Sequence, residues 1–146
     1  MIPGANGSDE ALVITANTVI DLSQAVTNVW NADNAANAGK GVYDAEKWAV
    51  VYKYSSVSIP ANVTVNFANH PSGAPVVWLV SGDVTINGTV TLNGGNGFVG
   101  LGAPNGGPGG FSGGQGGFPF TSGRGPGGGR RDAFNQGTGG GFGTFG

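Results

Sequence analysis

The sequence has no cysteine and few charged residues, and each shortage excludes a class of protein. Without cysteine, the 146-residue chain has neither a disulfide framework nor a thiolate metal site. Charged residues make up only 10% of the chain, and the formal net charge is −2. Such a low charge does not favour nucleic acid, an acidic substrate or a membrane surface as a partner.

Long apolar runs are also missing. The longest, from Val76 to Val80, is far shorter than the ~20 residues that a transmembrane helix needs. The N-terminal stretch MIPGANGSDEALVITA has no Lys or Arg and carries Asp9 and Glu10, whereas a secretory signal begins with a basic segment. We therefore expect neither a membrane span nor Sec-type export.

The chain has little of what catalysis and metal binding require. Its only histidine, His70, lies between Asn69 and Pro71 and is interpreted as a turn residue rather than a general base. Asp44 and Glu46 are interpreted as a turn cap and a solvated charge. The remaining acidic residues are scattered, whereas a metal site needs them clustered. We expect no enzymatic activity, no catalytic or metal-ligating residue and no cofactor.

Glycine divides the chain into two parts. Residues 1–93 hold only seven of the 31 glycines together with all the Trp, Tyr and Lys, whereas residues 94–146 hold the other 24 glycines and seven of the eight Phe. This difference predicts a β-rich domain over residues 1–93 and a glycine-rich extended segment over residues 94–146. Only the first part can form a packed core, and that core is small.

The first part shows the alternation that is typical of strands. Apolar side chains recur at every second residue from Trp48 to Tyr54, which predicts a strand with one richer apolar face. Leu12–Ile14 and Val19–Ile20 are predicted to be strands that cover one end of the domain. A short helical turn is expected after Asp44, just before the strand.

The stretch GDVTINGTVTLNGG, residues 82–95, contains nearly the same five residues twice. It is either a hairpin or two sides of one coil of a parallel β-helix with Asn87-Gly88 at the corner. Residues 57–66 also match residues 78–87 at an offset of 21, which favours the parallel β-helix and predicts that Val63 stacks on Val84. The alternative fold is a small antiparallel β-sandwich.

Residues 105–118 repeat Gly-Gly-Pro, Gly-Gly-Phe and Gly-Gly-Gln. A period of three residues is that of the polyproline II helix, in which glycines line two faces and the third residue projects. A flexible linker is the alternative interpretation. Because exposed Phe is costly, we expect an ordered segment whose glycine chains bond to one another and whose Phe side chains are buried against other chains or other tail segments.

Two resemblances follow from these motifs. The Gly-Gly-x runs resemble the glycine-rich polyproline II layers of phage receptor-binding adhesins. Residues 41–90, from GVYDAEKW to NGTV, are similar to bacterial and phage-encoded surface proteins in which β-helical rungs precede stretches such as GRGPGGG. The resemblances imply a β-helical fold and a place at a surface, and neither implies a functional residue.

The leading hypothesis is a non-catalytic structural subunit of a virion or extracellular assembly, such as a phage tail fibre, whose partners are its own copies and other assembly proteins. The alternative is a bacterial cell-surface adhesin or fibre protein that binds carbohydrate or another surface. Ice binding by ordered glycine helices is a third hypothesis, although Pro, Phe and Gln project too irregularly for a flat face. The candidate inter-subunit or surface-binding residues are aromatic or basic: Tyr43, Tyr52, Tyr54, Phe98, Phe111, Phe118, Phe120, Arg124, Arg130, Arg131, Phe134 and Phe142.

Overall fold

A computed structural model describes residues 4–33, 36–95, 103–114 and 121–125 of the chain. The chain divides into two compact units, Met1–Leu92 and Asn93–Gly146. All the described strands lie in the first unit, which is all-β with parallel sheets, so the predicted structural class is confirmed. The helical structure among the described residues is a single 3₁₀ turn at Leu22–Gln24.

Ten short strands follow one another along the described residues of the first unit. They are β1 Ala11–Val13, β2 Thr18–Asp21, β3 Val26–Thr27, β4 Val42–Asp44, β5 Ala49–Tyr54, β6 Ser56–Ile59, β7 Thr64–Ala68, β8 Val76–Val80, β9 Val84–Ile86 and β10 Thr89–Thr91. The strands expected near Leu12, Val19 and Trp48 are therefore present as β1, β2 and β5.

The prediction of a helical turn after Asp44 is wrong. Asp44 ends β4, and residues 45–48 form the turn that leads into β5. Oδ1 of Asp44 accepts the backbone N–H groups of Glu46 and Lys47 at 2.9 and 3.0 Å. This side chain satisfies the N–H groups locally and so competes with a helix.

The strands form three sheets, in the orders β1-β6-β9, β2-β7-β10 and β3-β4-β5-β8. Every pairing is parallel except the one between β4 and β5. In an antiparallel sandwich most strand pairings would be antiparallel, so that alternative is wrong. Successive passes of the chain place one strand in each sheet: β5, β6 and β7 in one pass, then β8, β9 and β10 in the next.

The register corrects the predicted offset of 21 residues. Val57 pairs with Val84 rather than Trp78, and Trp78 pairs with Tyr52. Consecutive passes are related by offsets of 25 to 27 residues: Thr64 with Thr89, Val50 with Val76, and Val57 with Val84. The predicted stacking of Val63 on Val84 is wrong, because the sequence match aligned β7 with β9, which lie in different sheets.

The duplicated stretch forms a corner and not a hairpin. Its two halves are β9 and β10, which belong to different sheets. Between them, the backbone N–H of Asn87 bonds to the carbonyl of Ile59 at 2.8 Å. A Cβ atom on Gly88 would lie 2.4 Å from the carbonyl oxygen of Val63 and 2.5 Å from that of Pro60. Glycine is needed here because the corner packs directly on the backbone of the preceding pass.

Inward-facing side chains of all three sheets share one core. The cluster contains Ile14, Leu22, Val50, Tyr52, Tyr54, Val57, Ile59, Val65 and Ala74. Along β6, for example, Val57 and Ile59 are buried while Ser58 between them is exposed. This is the period of two that the sequence predicts for strands with one inward face.

The described parts of the second unit lie side by side and are joined by backbone hydrogen bonds. The N–H of Gly95 donates to Asn105 at 2.8 Å, that of Gly113 to Pro104 at 3.0 Å, and that of Arg124 to Ser112 at 3.0 Å. Cβ atoms on Gly94, Gly106 and Gly114 would approach neighbouring backbone atoms to 2.6, 2.5 and 2.4 Å. The glycines therefore permit a close approach that no other residue allows.

Candidate functional site

One end of the three sheets is apolar and is not covered by another described strand. Strands β8, β9 and β10 are each the last strand of their sheet, and no other described strand pairs with their outer edges. We call these three strands, together with Leu92, the open end. Its inward-facing residues are apolar: Val76, Trp78, Val80, Val84, Ile86, Val90 and Leu92.

Exposure changes sharply between one pass of the chain and the next. Val57 and Ile59 are 1% and 0% exposed, whereas Val84 and Ile86, their pairing partners at the open end, are 53% and 46% exposed. All four side chains face inward, because parallel pairing keeps partners on the same face. The difference arises because β6 lies between two strands and β9 has only one neighbour.

At the other side of the three sheets lie β1, β2 and β3, whose outer edges also pair with no other described strand. The 3₁₀ turn after β2 places Leu22 in the core, where it is fully buried. Asp21 begins this turn and accepts the N–H of Ser23 at 3.0 Å. The two sides differ in the exposure of their inward-facing side chains: Leu12 and Ile20 are partly buried, whereas Val84, Ile86 and Leu92 are about half exposed.

A cavity of about 220 Å³ lies beside Trp78. It is lined by Phe67, Val76, Trp78, Val90 and Leu92. Trp78 meets Tyr54 edge-on with 5.8 Å between ring centroids, and a tilted Phe67 lies at 5.9 Å. The indole Nε1 is buried and has no hydrogen-bond partner among the described residues. This arrangement can hold an apolar group but offers no accessible polar anchor for a soluble substrate.

The open end carries no charged side chain within its strands, which read VVWLV, VTI and TVT. Asp83, directly before β9, is the nearest charged residue in sequence. Exposed strand edges usually carry Lys, Pro or a bulge that prevents pairing with another chain. These three strands have none of the charged or proline residues that serve this purpose.

Two of the predicted surface-binding tyrosines are corrected by the structure. Tyr52 and Tyr54 are 1% and 4% exposed and stack on one another in the core, with 5.5 Å between ring centroids. Burial raises the pKa of both hydroxyls well above the ordinary value of 10.0. They are core residues because β5 faces the core with alternate residues, and Tyr fills that space. Neither can stack on a ligand at the surface.

Tyr43 is half-buried and stacks on His70 with 4.0 Å between ring centroids. His70 lies in the turn between β7 and β8, and its Nδ1 accepts the backbone N–H of Ser72 at 3.2 Å. Burial lowers the pKa of His70. The pair holds this turn against β4, in agreement with the interpretation of His70 as a turn residue.

Only Phe111 and Arg124 of the predicted tail candidates lie in the described part of the chain. Phe111 is 49% exposed in the single chain, and its predicted burial against other chains stays a prediction. Its ring lies over Gly125, where a Cβ atom would come within 3.0 Å of it. Arg124 is exposed. The other predicted candidates lie outside the described part of the chain: Phe98, Phe118, Phe120, Arg130, Arg131, Phe134 and Phe142.

Sequence reasoning missed a polar cluster on the outward face of β5. Lys53 is 1% exposed, and its ammonium group forms an ion pair with Asp33 and donates to the carbonyl of Ala32 at 3.0 Å. Ser8 and Asn6 also donate to Asp33. These bonds, that of Lys53 first, hold the pKa of Asp33 below its ordinary value.

Asp9 completes this cluster from the other side. It is buried, and its carboxylate accepts the backbone N–H groups of Lys53 and Gly39, both at 2.7 Å. Residues 6–9, 32–33 and 39 are thereby tied to the outside of the sheet. All these polar groups are engaged with one another, so the cluster is a structural clasp.

Clusters of metal ligands and membrane-spanning helices were sought in the described part of the chain. Among the described residues, no group of three or more His, Cys, Asp or Glu is placed to hold a metal ion. The described part of the chain also has no helix that is long and apolar enough to cross a membrane. The open end is thus the candidate functional site. Comparison of the chain with protein-family models, curated proteins and solved structures found no match.

Proposed function

We propose that the chain is a non-catalytic structural subunit of a virion or extracellular assembly, of the tail-fibre or appendage type. The three sheets are then the sides of a short parallel β-helix. Supporting this fold are offsets of 25 to 27 residues in all three sheets and corners such as Asn87-Gly88 that pack on the preceding pass.

The observation that carries the proposal is the open end. Val84, Ile86 and Leu92 are about half exposed, although their positions face inward. Covering such side chains contributes roughly 25 cal/mol for each Å² of apolar surface removed from water. The unpaired strand edges beside them gain backbone hydrogen bonds in the same step. Packing against another subunit satisfies both needs.

The adhesin hypothesis has less support. It relied on surface aromatic residues, and Tyr52 and Tyr54 are buried while Tyr43 is covered by His70. Of the aromatic candidates in the described part of the chain, Phe111 alone is exposed, at 49%. The structural subunit is therefore the function that the geometry supports best.

Light scattering coupled to size-exclusion chromatography tests the proposal. The full chain is expected to have a mass above the 14.4 kDa of one chain, and the double variant Val84→Asp/Ile86→Asp is expected to lower it to that value. Burying two unpaired carboxylates is prohibitive.

The matched control is Val13→Asp/Val19→Asp. These valines are 63% and 61% exposed, but they lie on the outward faces of β1 and β2. The control is expected to associate like the wild type. A wild-type chain that stays at the mass of one chain, or an equal loss in both variants, contradicts the proposal.

A further inference from the structure

We propose that the turn between β7 and β8 is a pH-sensitive element, which a neutral His70 holds closed and a protonated His70 releases. The backbone N–H of Ser72 lies 3.2 Å from Nδ1 of His70, and the Ser72 hydroxyl lies 2.7 Å from the same nitrogen. Because a backbone N–H can only donate, Nδ1 must be an acceptor without a proton. The bond that closes the turn therefore exists only while Nδ1 is unprotonated.

Protonation places two donors against one another at this point. An imidazolium carries a proton on both ring nitrogens, so its Nδ1–H points at the N–H of Ser72. The Ser72 hydroxyl can rotate and accept from Nδ1, since it already accepts the N–H of Ala74 at 3.3 Å and has a second lone pair. The Ser72 N–H cannot adapt in this way and loses its acceptor.

The same turn is fastened to two neighbouring parts of the first unit. The indole Nε1 of Trp48, in the turn before β5, donates to the carbonyl of Ser72 at 3.1 Å. The imidazole itself stacks on Tyr43 of β4. Within the turn, Gly73 has a positive φ of +69° and donates its N–H to the carbonyl of His70 at 2.8 Å. Release of Ser72 therefore loosens contacts with both β4 and the turn before β5.

The groups packed on the imidazole are Tyr43 and Ser72, and neither is an ionic side chain. The charged residues of the neighbouring elements are Asp44, at the end of β4, and Glu46 and Lys47, in the turn before β5. The Asp44 carboxylate accepts the N–H groups of both these turn residues, so it is engaged away from the ring. The surroundings of the imidazole therefore offer a proton on it no described ion-pair partner.

The direction of the pH effect follows from this environment. Burial lowers the pKa of His70 below its ordinary value of 6.5. A histidine whose pKa is lower in the folded state stabilises the fold above its unfolded value, and this contribution is lost as the pH falls from 6.5 through the folded value. His70 is the only histidine of the chain, so a transition in this range reports on one side chain.

Nuclear magnetic resonance of the full chain between about pH 5 and 8 tests the proposal, because this is the range in which histidine titrates. The imidazole resonances are expected to give a pKa below 6.5. Hydrogen exchange of the Ser72 amide, relative to its intrinsic rate at each pH, is expected to become about tenfold faster once the imidazole is protonated, as loss of one hydrogen bond predicts. Both changes should share one midpoint.

Two variants separate the switch from a general effect of pH. His70→Asn keeps an acceptor for the N–H two residues further on, as in an Asx-turn, and has no group that titrates. Its Ser72 amide is expected to stay protected across the whole range. His70→Phe keeps a ring against Tyr43 but has no acceptor, so its Ser72 amide is expected to exchange fast at every pH. An imidazole that titrates without any change at the Ser72 amide overturns the proposal, and so does an equal pH dependence in His70→Asn and the wild type.

Discussion

Trp78 is the residue on which the open end depends most. It is half-buried, and it joins the core through Tyr54 while it also lines the apolar cavity. Trp→Ala at a fully buried position costs about 3 to 5 kcal/mol. We expect Trp78→Ala to lower the free energy of unfolding by only about 2 to 3 kcal/mol, because part of the ring is already in contact with solvent. Urea denaturation followed by circular dichroism measures this loss.

Trp78→Phe is the matched control for that experiment. It keeps an aromatic ring against Tyr54 and removes an N–H group that has no partner in the described structure. Its expected cost is within about 1 kcal/mol, since a donor without a partner contributes nothing to stability. An unchanged urea midpoint in Trp78→Ala would contradict the packing role of the indole.

Two glycines show that the effect of an added Cβ atom depends on what packs against the glycine. Gly41 and Gly39 both have positive φ, +74° and +70°, which favours glycine at each. A Cβ atom on Gly41 would in addition lie 2.9 Å from the Tyr52 ring, while one on Gly39 would meet nothing within 4 Å. Gly41 is thus required both by its backbone conformation and by the tyrosine packed across it.

At the scale of elements, the clasp on β5 holds two irregular segments against a sheet. Its pH dependence follows from the lowered pKa of Asp33. A carboxyl whose pKa is lower in the folded state stabilises the fold above its unfolded value, and this contribution is lost as the pH falls through the folded value. We expect the wild type to lose stability below about pH 3.8, the ordinary pKa of the group.

The variant Asp33→Asn removes this titration. It is expected to be less stable than the wild type near neutral pH and to show a flatter pH dependence between neutral pH and pH 3. Urea midpoints measured across this range check the expectation. Glu10→Gln, at an exposed position in the same N-terminal segment, is the control and should follow the wild-type curve. Parallel curves for Asp33→Asn and the wild type would contradict the role of the clasp.

At the scale of the whole molecule, each of the two units is stabilised internally by a different kind of interaction. The first buries alternating apolar side chains between three sheets. The described parts of the second are joined through backbone hydrogen bonds and close approaches at glycine. Because these described segments approach one another through their backbones, an added atom that separates them is expected to break the hydrogen bonds between them.

Gly114→Ala tests this dependence. Its Cβ atom would lie 2.4 Å from the carbonyl oxygen of Thr121, so the segments must separate, and the bond from Arg124 N–H to Ser112 should break. Faster hydrogen exchange at the Arg124 amide measures this. Gly95→Ala, whose Cβ atom would meet its nearest neighbour at 3.6 Å, should leave that amide unchanged. Equal exchange in the two variants would contradict the close packing.

Much of this molecule was predictable from local sequence alone. Strand positions follow from alternating apolar residues, a pattern that depends only on the geometry of the extended chain. The corner at Asn87-Gly88 was predictable as well, because Gly permits the close approach that a stacked corner needs. The interpretation of His70 as a turn residue needed only its neighbours Asn69 and Pro71.

Tertiary structure alone decided which strands stack, what the tyrosines contact and how one face is covered. Stacking depends on the number of residues in each corner, so similar strands such as β7 and β9 match in sequence yet lie in different sheets. Tyr52 and Tyr54 are buried because other strands cover them, and alternation does not reveal which face is covered. Lys53 and Asp33 are 20 residues apart in the chain, and only the folded loops bring them together. The open end likewise exists only in the fold, because the residues of β9 and β6 follow the same apolar pattern and differ in whether another strand lies beside them.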